Sequence, residues 1–287
     1  GSEMCIRDSI WTTTPWTLPA NVGLALHPRF TYVAGRFMKN GQTENLVIVK
    51  DLLDAFAQKT GWALAETIRE FKGAELENCE ARHPFLSRTS TIILADFVTT
   101  DTGTGIVHIA PAFGEDDAQV GRRYDLPFVQ FVDGKGHMTE ETPFAGLFVK
   151  DADPKVLEDL ESRGLLYDAP KFEHDYPFCW RCDTPLLYYA RESWFIKMTA
   201  VKDDLIRNNN TINWIPESIG KGRFGDWLEN IQDWGLSRNR YWGTPLNIWE
   251  CECGERHAVG SIKELKEMSD DCPENIELHR PFIDAVT

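Results

Sequence analysis

Trp11-Thr12-Thr13-Thr14-Pro15-Trp16-Thr17-Leu18-Pro19-Ala20-Asn21 places four threonine hydroxyls and one side-chain amide within ten residues, with Pro15 and Pro19 restricting the backbone between them. A loop so constrained and so rich in donors and acceptors can hold water and the hydroxyls of a sugar. Threonine also favours strands and proline favours turns, so a short strand running into a proline turn is the plainer reading of the same residues.

A second segment carries complementary chemistry: Gly103-Thr104-Gly105-Ile106-Val107-His108-Ile109-Ala110-Pro111-Ala112-Phe113-Gly114-Glu115-Asp116-Asp117. His108 supplies one donor and one acceptor near neutral pH, and Asp117, across a Pro and Gly turn, can bind an ammonium group. Each has a structural alternative. A histidine on an apolar strand can be a hydrogen-bonded core residue, and an Asp-Asp pair can serve a helix N-terminus.

Around these segments the chain from residue 10 to 104 reads as short strands broken by turns. Strands are expected at 21–26, 31–37, 46–50, 91–95, 106–109 and 128–132, the last ending in the hairpin-like Asp133-Gly134-Lys135-Gly136. Leu52, Leu53 and Phe56 share one face of a helix over 51–59. Many strands and few helices predict a barrel-like β domain. Asp153-Pro154 is expected to open a closing helix, with Val156, Leu157 and Leu160 on its buried face and Gly164 at its end. From about Phe172 the composition turns rich in Trp, Arg and Cys, with helices expected near 200–208 and 218–232. The expected organisation is a leader at 1–9 foreign to the fold, a β domain over 10–171, and a second α/β domain over 172–287.

Composition excludes some functions. The net charge of −15 opposes binding along the body of a nucleic acid, which relies on many Lys and Arg contacts to phosphate, although an RNA end could still enter a pocket. No apolar run is long enough to span a bilayer, so no membrane role is expected. Seven cysteines, an odd number with two close pairs, suit metal ligands in a reducing compartment better than a disulfide framework, and point to the cytoplasm.

Together, the peptides at 11–21 and 103–117 closely resemble the two signature peptides of the isoleucyl-tRNA synthetase editing domain, in the same order and at a fitting separation. The related valine and leucine enzymes carry Thr-Thr-Arg-Pro where this chain has Thr12-Thr13-Thr14-Pro15. The resemblance implies a mixed α/β chain: a β-barrel-like editing domain with peripheral helices, followed by part of the Rossmann-type class I catalytic domain. It implies hydrolysis of valine misattached to the 3′ end of tRNA(Ile), with isoleucine rejected by size. Thr12, Thr13, Thr14, His108 and Asp117 would be catalytic. In those roles the threonines surround the terminal adenosine and the attacking water, His108 meets the polar end of the substrate, and Asp117 holds its ammonium. Trp16, Asn21 and Asp116 are candidate substrate-binding residues, Trp16 and Asn21 by shaping the loop.

Cys179-Trp180-Arg181-Cys182 and Cys251-Glu252-Cys253-Gly254 have the form of zinc knuckles. The family implies that each pair is half of a separate zinc site, so Cys179, Cys182, Cys251 and Cys253 are candidate ligands, with free thiols as the alternative. His174 and His257 are nearby substitutes for a missing ligand. Segments 181–186 and 237–245 resemble parts of the synthetase catalytic fold, and Arg238, Arg240, Lys221 and Arg223 could meet phosphates or pair with neighbouring carboxylates. Neither His-Ile-Gly-His nor Lys-Met-Ser-Lys-Ser occurs, so ATP and magnesium belong to the full-length parent and this chain is not expected to aminoacylate. Competing expectations are a zinc-dependent RNA-binding module, stacking bases on Trp180, Tyr188, Tyr189 and Trp194, and a free-standing deacylase.

Overall fold

The hairpin turn Asn40-Gly41 shows how local chemistry sets the first sheet. Both residues adopt positive φ, 50° and 82°, the conformation a two-residue primed turn requires and one that Asn and Gly tolerate best. In this computed structural model, which describes residues 6–170, 176–238 and 245–287, that turn joins two long antiparallel strands. Cys5, His174 and Arg240, with the rest of the segment 239–244, lie outside the described residues.

The chain divides into two compact units, Gly1–Ala190 and Arg191–Thr287. In the first, the strands are β1 (Arg7–Asp8), β2 (Gly23–Leu26), β3 (Thr31–Lys39), β4 (Gln42–Val49), β5 (Ala63–Lys72), β6 (Glu80–Arg82), β7 (Thr89–Leu94) and β8 (Ile106–Ile109). The helices are α1 (Leu53–Thr60), α2 (Glu115–Arg123) and α3 (Val149–Ser162). One sheet has the order β1-β4-β3-β5 and the other β6-β7-β2-β8. Each is open at both ends, so the expected mixed α/β class is present while the strands form two sheets rather than a closed barrel.

The two sheets share a core. Leu24, Leu26, Ile92 and Ile106 of the second sheet pack with Tyr32, Phe37, Leu46 and Ile48 of the first, joined by Phe56 from α1. Strand β2 is buried along its whole length because its other face, at Ala25, packs with Ile93, Ile109 and Val120 of α2. A third cluster sets Trp16 and Leu18 against Val149, Ala152, Val156 and Leu160 of α3.

Further sequence expectations differ from the structure: Arg7–Asp8, expected in a leader foreign to the fold, pairs with β4. Helix α3 begins at Val149, so Pro154 lies inside it and Asp153, instead of capping the helix, accepts a hydrogen bond from the Trp16 backbone N–H at 2.9 Å. Residues 128–132 form no strand; only an isolated bridge, Val132 to Met138, flanks the Asp133 turn, where Asp133 Oδ1 accepts from the N–H groups of Lys135 and His137. Strand β5 was unexpected because Ala, Leu, Glu, Arg and Lys favour helix; its pairing with β3, through register shifts at Gly35 and Phe37, overrides that preference.

In the second unit, α4 (Lys202–Asn209) matches the expected helix. The helix expected over 218–232 is broken into α5 (Ser218–Lys221) and α6 (Arg223–Glu229) by Gly222, whose backbone leaves the helical region at φ −93°, ψ −119°. The described strands are β9 (Phe195–Ile196) with β10 (Trp234–Gly235), and β11 (Ile248–Glu250) with β12 (Arg256–Ala258), both antiparallel; α7 (Ile262–Met268) follows. The parallel sheet of a Rossmann-type fold is not found among the described residues. No helix among them is long and apolar enough to cross a membrane.

Candidate functional site

The two peptides singled out in the sequence are stitched together by backbone. Trp11 N–H donates to Ile106 O at 3.2 Å, Val22 N–H donates to Ile109 O at 3.0 Å, and β2 runs antiparallel to β8 with Leu24 opposite His108. The Gly-Thr-Gly turn makes this possible. Gly103 and Gly105 have φ of +84° and +75°, and a Cβ on Gly105 would lie 2.5 Å from Val49 Cβ. The buried Tyr32 hydroxyl donates to Gly105 O at 2.7 Å and accepts from His27 N–H, and burial pushes its pKa up to about 12.

Between the stitches, residues 15–20 form a 3-10 helix that buries Thr17, while Thr12 and Thr14 are half-buried and Thr13 is exposed. Thr12 Oγ1 accepts from Thr14 N–H at 3.1 Å, and Thr14 Oγ1 lies 3.4 Å from Thr12 Oγ1 and 3.3 Å from Thr17 Oγ1. The Thr17 hydroxyl donates to Thr14 O at 2.8 Å, so it receives rather than gives at His108 Nε2, 3.0 Å away. On the other side of the ring, His108 Nδ1 is 2.7 Å from the Asn21 amide nitrogen, which also donates to Gly23 O at 2.9 Å. Gly23 O can only accept, so Nδ2 of Asn21 must face it, and the same Nδ2 makes His108 Nδ1 an acceptor. Asn21 Oδ1 accepts from the Ser90 hydroxyl at 2.5 Å.

Every donor in this chain points the same way: Ser90 to Asn21, Asn21 to His108, His108 Nε2–H to Thr17, Thr17 to Thr14. His108 is therefore neutral and protonated on Nε2. Burial, helped by nearby His83, pushes its pKa down to about 3. Both ring nitrogens are occupied by protein, so in this state His108 positions Thr17 and Asn21.

Asp117 lies in the first turn of α2 together with Glu115 and Asp116, where three carboxylates complement the positive end of the helix dipole. Its Oδ2 accepts from Ala110 N–H at 2.8 Å, tying the helix back to the residue two beyond His108. Burial raises its pKa, opposed by that hydrogen bond. Asp116 is exposed. Trp16 is buried, packed edge-on against Phe113 of the second peptide at 4.9 Å.

A cavity of about 1200 Å³ opens beside the threonine loop, with Thr12, Thr13 and Asn21 on its wall together with His83, Arg88 and Ser90; Thr14, His108 and Asp117 are not among its lining residues. Arg88 Nη2 donates to Asn21 O at 2.6 Å and Pro19 O at 3.0 Å, clamping the loop from outside. His83 Nδ1 accepts from the N–H groups of Phe85 and Leu86, and burial pushes its pKa down to about 4, with the Arg88 charge adding to the effect. Thr17, Ser90, Arg88 and His83 had no assigned part on sequence grounds. Thr17 lay within the quoted peptide, whereas Ser90 and Arg88 become visible only through pairing across more than sixty residues.

The cysteine pairs sit on tight turns. Cys179 N–H donates to Thr184 O and Asp183 N–H to Cys179 O, at the Phe178–Pro185 bridge, and a hydrogen bond with Thr184 lowers the Cys182 pKa. Cys251 and Cys253 occupy the β11–β12 turn, where Cys253 N–H donates to Cys251 Sγ at 3.3 Å and Gly254 adopts φ +84°. Each turn presents two thiols. Among the described residues, no group of three or more His, Cys, Asp or Glu side chains could hold a metal ion.

A family model described as tRNA synthetases class I (I, L, M and V) matches residues 27–286. The isoleucine–tRNA ligase of Clostridium novyi is 52% identical over 282 residues, covering 96% of this chain and 26% of that protein. Isoleucine–tRNA ligase 2 of Bacillus cereus is 48% identical over 283 residues, covering 96% and 27%. The chain thus spans about a quarter of the length of these relatives. Among solved structures, GlLeuRS-CP1 aligns with a TM-score of 0.47 at 17% identity, covering 58% of this chain and 85% of that one. A P. falciparum cytosolic leucyl-tRNA synthetase editing domain aligns with a TM-score of 0.45 at 11% identity, covering 56% and 78%.

Proposed function

This chain belongs to the class I tRNA synthetases of the isoleucine, leucine, methionine and valine group, and on that premise we propose that it is the proofreading portion of an isoleucine–tRNA ligase. Residues 10–171 are the hydrolytic domain, and 172–287 are part of the synthetic domain of the parent enzyme. The observation that carries this reading is the buried, one-directional hydrogen-bond chain that locks the threonine loop to His108.

The substrate is the 3′ end of tRNA(Ile) carrying valine. Ester hydrolysis needs a positioned water and donors aimed at the developing oxyanion; an aminoacyl ester is already activated, so positioning suffices. Thr12 and Thr13, on the cavity wall, meet the terminal adenosine and the water. Thr14 and Thr17 hold Thr12 in place, and His108 sets the direction of their hydrogen bonds. Asp117, whose charged form is disfavoured by burial, receives the α-ammonium on Oδ1 while Oδ2 stays on Ala110. Asn21 and Trp16 shape the loop, and Asp116 adds negative charge at the rim.

Discrimination comes from size. A hydrophobic synthetic pocket separates one methylene by only about 1–3 kcal/mol, a limit whose familiar example is this enzyme's own pair, isoleucine against valine. A second, smaller pocket that admits valine and excludes isoleucine supplies the rest. Zinc, when bound, would be structural, held by Cys179 and Cys182 at one turn and Cys251 and Cys253 at the other, each pair completed by the remainder of the parent chain.

Asp117→Ala tests the assignment. It is expected to slow deacylation of valyl-tRNA(Ile) by at least tenfold, on the order of one lost charge-assisted contact. Deacylation at the parent rate would remove Asp117 from the site.

A further inference from the structure

We propose that Ser90 is a positioning residue of this site: its hydroxyl, acting on Asn21 together with Gly23 O, biases which nitrogen of His108 carries the proton, and through His108 the orientation of the threonine hydroxyls. Ser90 lies on β7, opposite Ala81 of β6, and is only 2% exposed. It stands 69 residues from Asn21 in sequence, yet its hydroxyl is 2.5 Å from Asn21 Oδ1. The effect on rate rests on the hydrolytic reading above; the effect on His108 does not.

An asparagine side chain is nearly symmetric in shape, so its orientation depends on what its two ends meet. At Asn21 the nitrogen end is held by Gly23 O and the oxygen end by Ser90. With the Ser90 hydroxyl present, turning the amide over would set NH2 against a hydroxyl whose proton has no other acceptor and O against Gly23 O. Without it, Oδ1 loses its donor in a buried position, which removes one of the two contacts that favour the observed orientation and leaves Gly23 O as the other. The gap between the two orientations then narrows.

The orientation is passed on. A turned Asn21 presents an oxygen to His108 Nδ1, and the ring answers by moving its proton from Nε2 to Nδ1. Nε2 then accepts, and Thr17 must donate to it instead of to Thr14 O. That releases the side-chain contact to Thr14 O and leaves the 3-10 turn on its backbone bonds, among them Thr17 N–H to Thr14 O at 3.1 Å. Arg88 acts on the same loop from the backbone side through Asn21 O and Pro19 O, so the main chain is held while Ser90 and Gly23 O act on the side-chain amide.

The test uses the full 287-residue chain labelled in its histidine nitrogens. Long-range proton–nitrogen correlation spectra distinguish the two neutral imidazole tautomers, and His108→Gln identifies the His108 signals by deleting them. The parent is expected to show His108 only as the Nε2–H form. Ser90→Ala is expected to show the Nδ1–H form as a minor fraction that the parent lacks, and Ser90→Thr, which keeps a hydroxyl, to restore the parent pattern. For valyl-tRNA hydrolysis the expected change in Ser90→Ala is a kcat lower by roughly tenfold with KM within about twofold, because Ser90, 2% exposed, contributes little surface to the cavity wall. An unchanged His108 signature in Ser90→Ala overturns the proposal and leaves the hydrolytic reading standing. A parent chain without hydrolysis defeats that reading and leaves the His108 result to decide on Ser90. If Ser90→Ala does not fold, Ser90→Cys, similar in size but a much weaker donor, is read in the same spectrum, and an Nε2–H-only ring there overturns the proposal.

Discussion

Replacing His108 by glutamine should remove one well-defined component of the acid sensitivity of this chain. The ring is buried, both nitrogens are engaged, and its pKa is pushed from 6.5 down to about 3, first by burial and then by the nearby His83. A histidine whose folded pKa is depressed binds its proton more readily when unfolded. Its stabilising contribution is fully present above the unfolded value of 6.5 and is lost as pH falls from there toward 3. At about pH 4.5 the unfolded ring is protonated and the folded ring is not, a gap of about two units, or about 3 kcal/mol. Urea unfolding followed by tryptophan fluorescence at about pH 7.5 and pH 4.5 measures this. The stability lost by the parent on acidification should exceed that lost by His108→Gln by about 3 kcal/mol. Asp8, pushed up to about 6 by burial, titrates with the opposite sign, but is common to both proteins and cancels. Equal losses in the two proteins would mean that His108 is not held neutral, and the one-directional hydrogen-bond chain would fail with it.

Two further outcomes follow from geometry. Gly105→Ala combines a left-handed backbone at φ +75° with a Cβ placed 2.5 Å from Val49 Cβ; it should destabilise the chain by about 2–5 kcal/mol, read from the shift in urea midpoint at unchanged slope. Chelation should leave the unfolding midpoint of this chain unchanged, because each cysteine pair supplies two ligands on an exposed turn; a drop of several kcal/mol would reveal a closed four-ligand zinc site.

Much of the first unit was legible because its signals are local. Ile106–Ile109 is a strand bounded by the Gly-Thr-Gly turn and Pro111, and its limits coincide with the expected ones. The strands expected at 31–37 and 46–50 are β3 and β4, β4 beginning four residues earlier than expected, and the helical face of Leu52 and Phe56 placed α1 within two residues. Where tertiary contacts compete with local preference the reading failed: β5 is a strand built of helix formers, and Pro154 sits inside a helix it was expected to begin. The same divide runs through the site. The threonines, Asn21 and His108 were visible as a pattern, and the structure joins them. Ser90 and Arg88 carried no signal, because a serine and an arginine in a strand-and-loop segment look the same whether they meet solvent or a buried amide. Asp117 was legible as a carboxylate near the loop, but its bond to Ala110 N–H depends on how α2 folds back on β8.

The most direct test is hydrolysis of valyl-tRNA(Ile) and isoleucyl-tRNA(Ile) by the same preparation of this chain, measured side by side. The expected result is rapid release of valine with isoleucine retained, the ratio of kcat/KM exceeding the roughly 10–200-fold that one methylene allows in a simple hydrophobic pocket. Equal rates on the two esters, or none on either, would contradict the proposal that residues 10–171 carry the proofreading site.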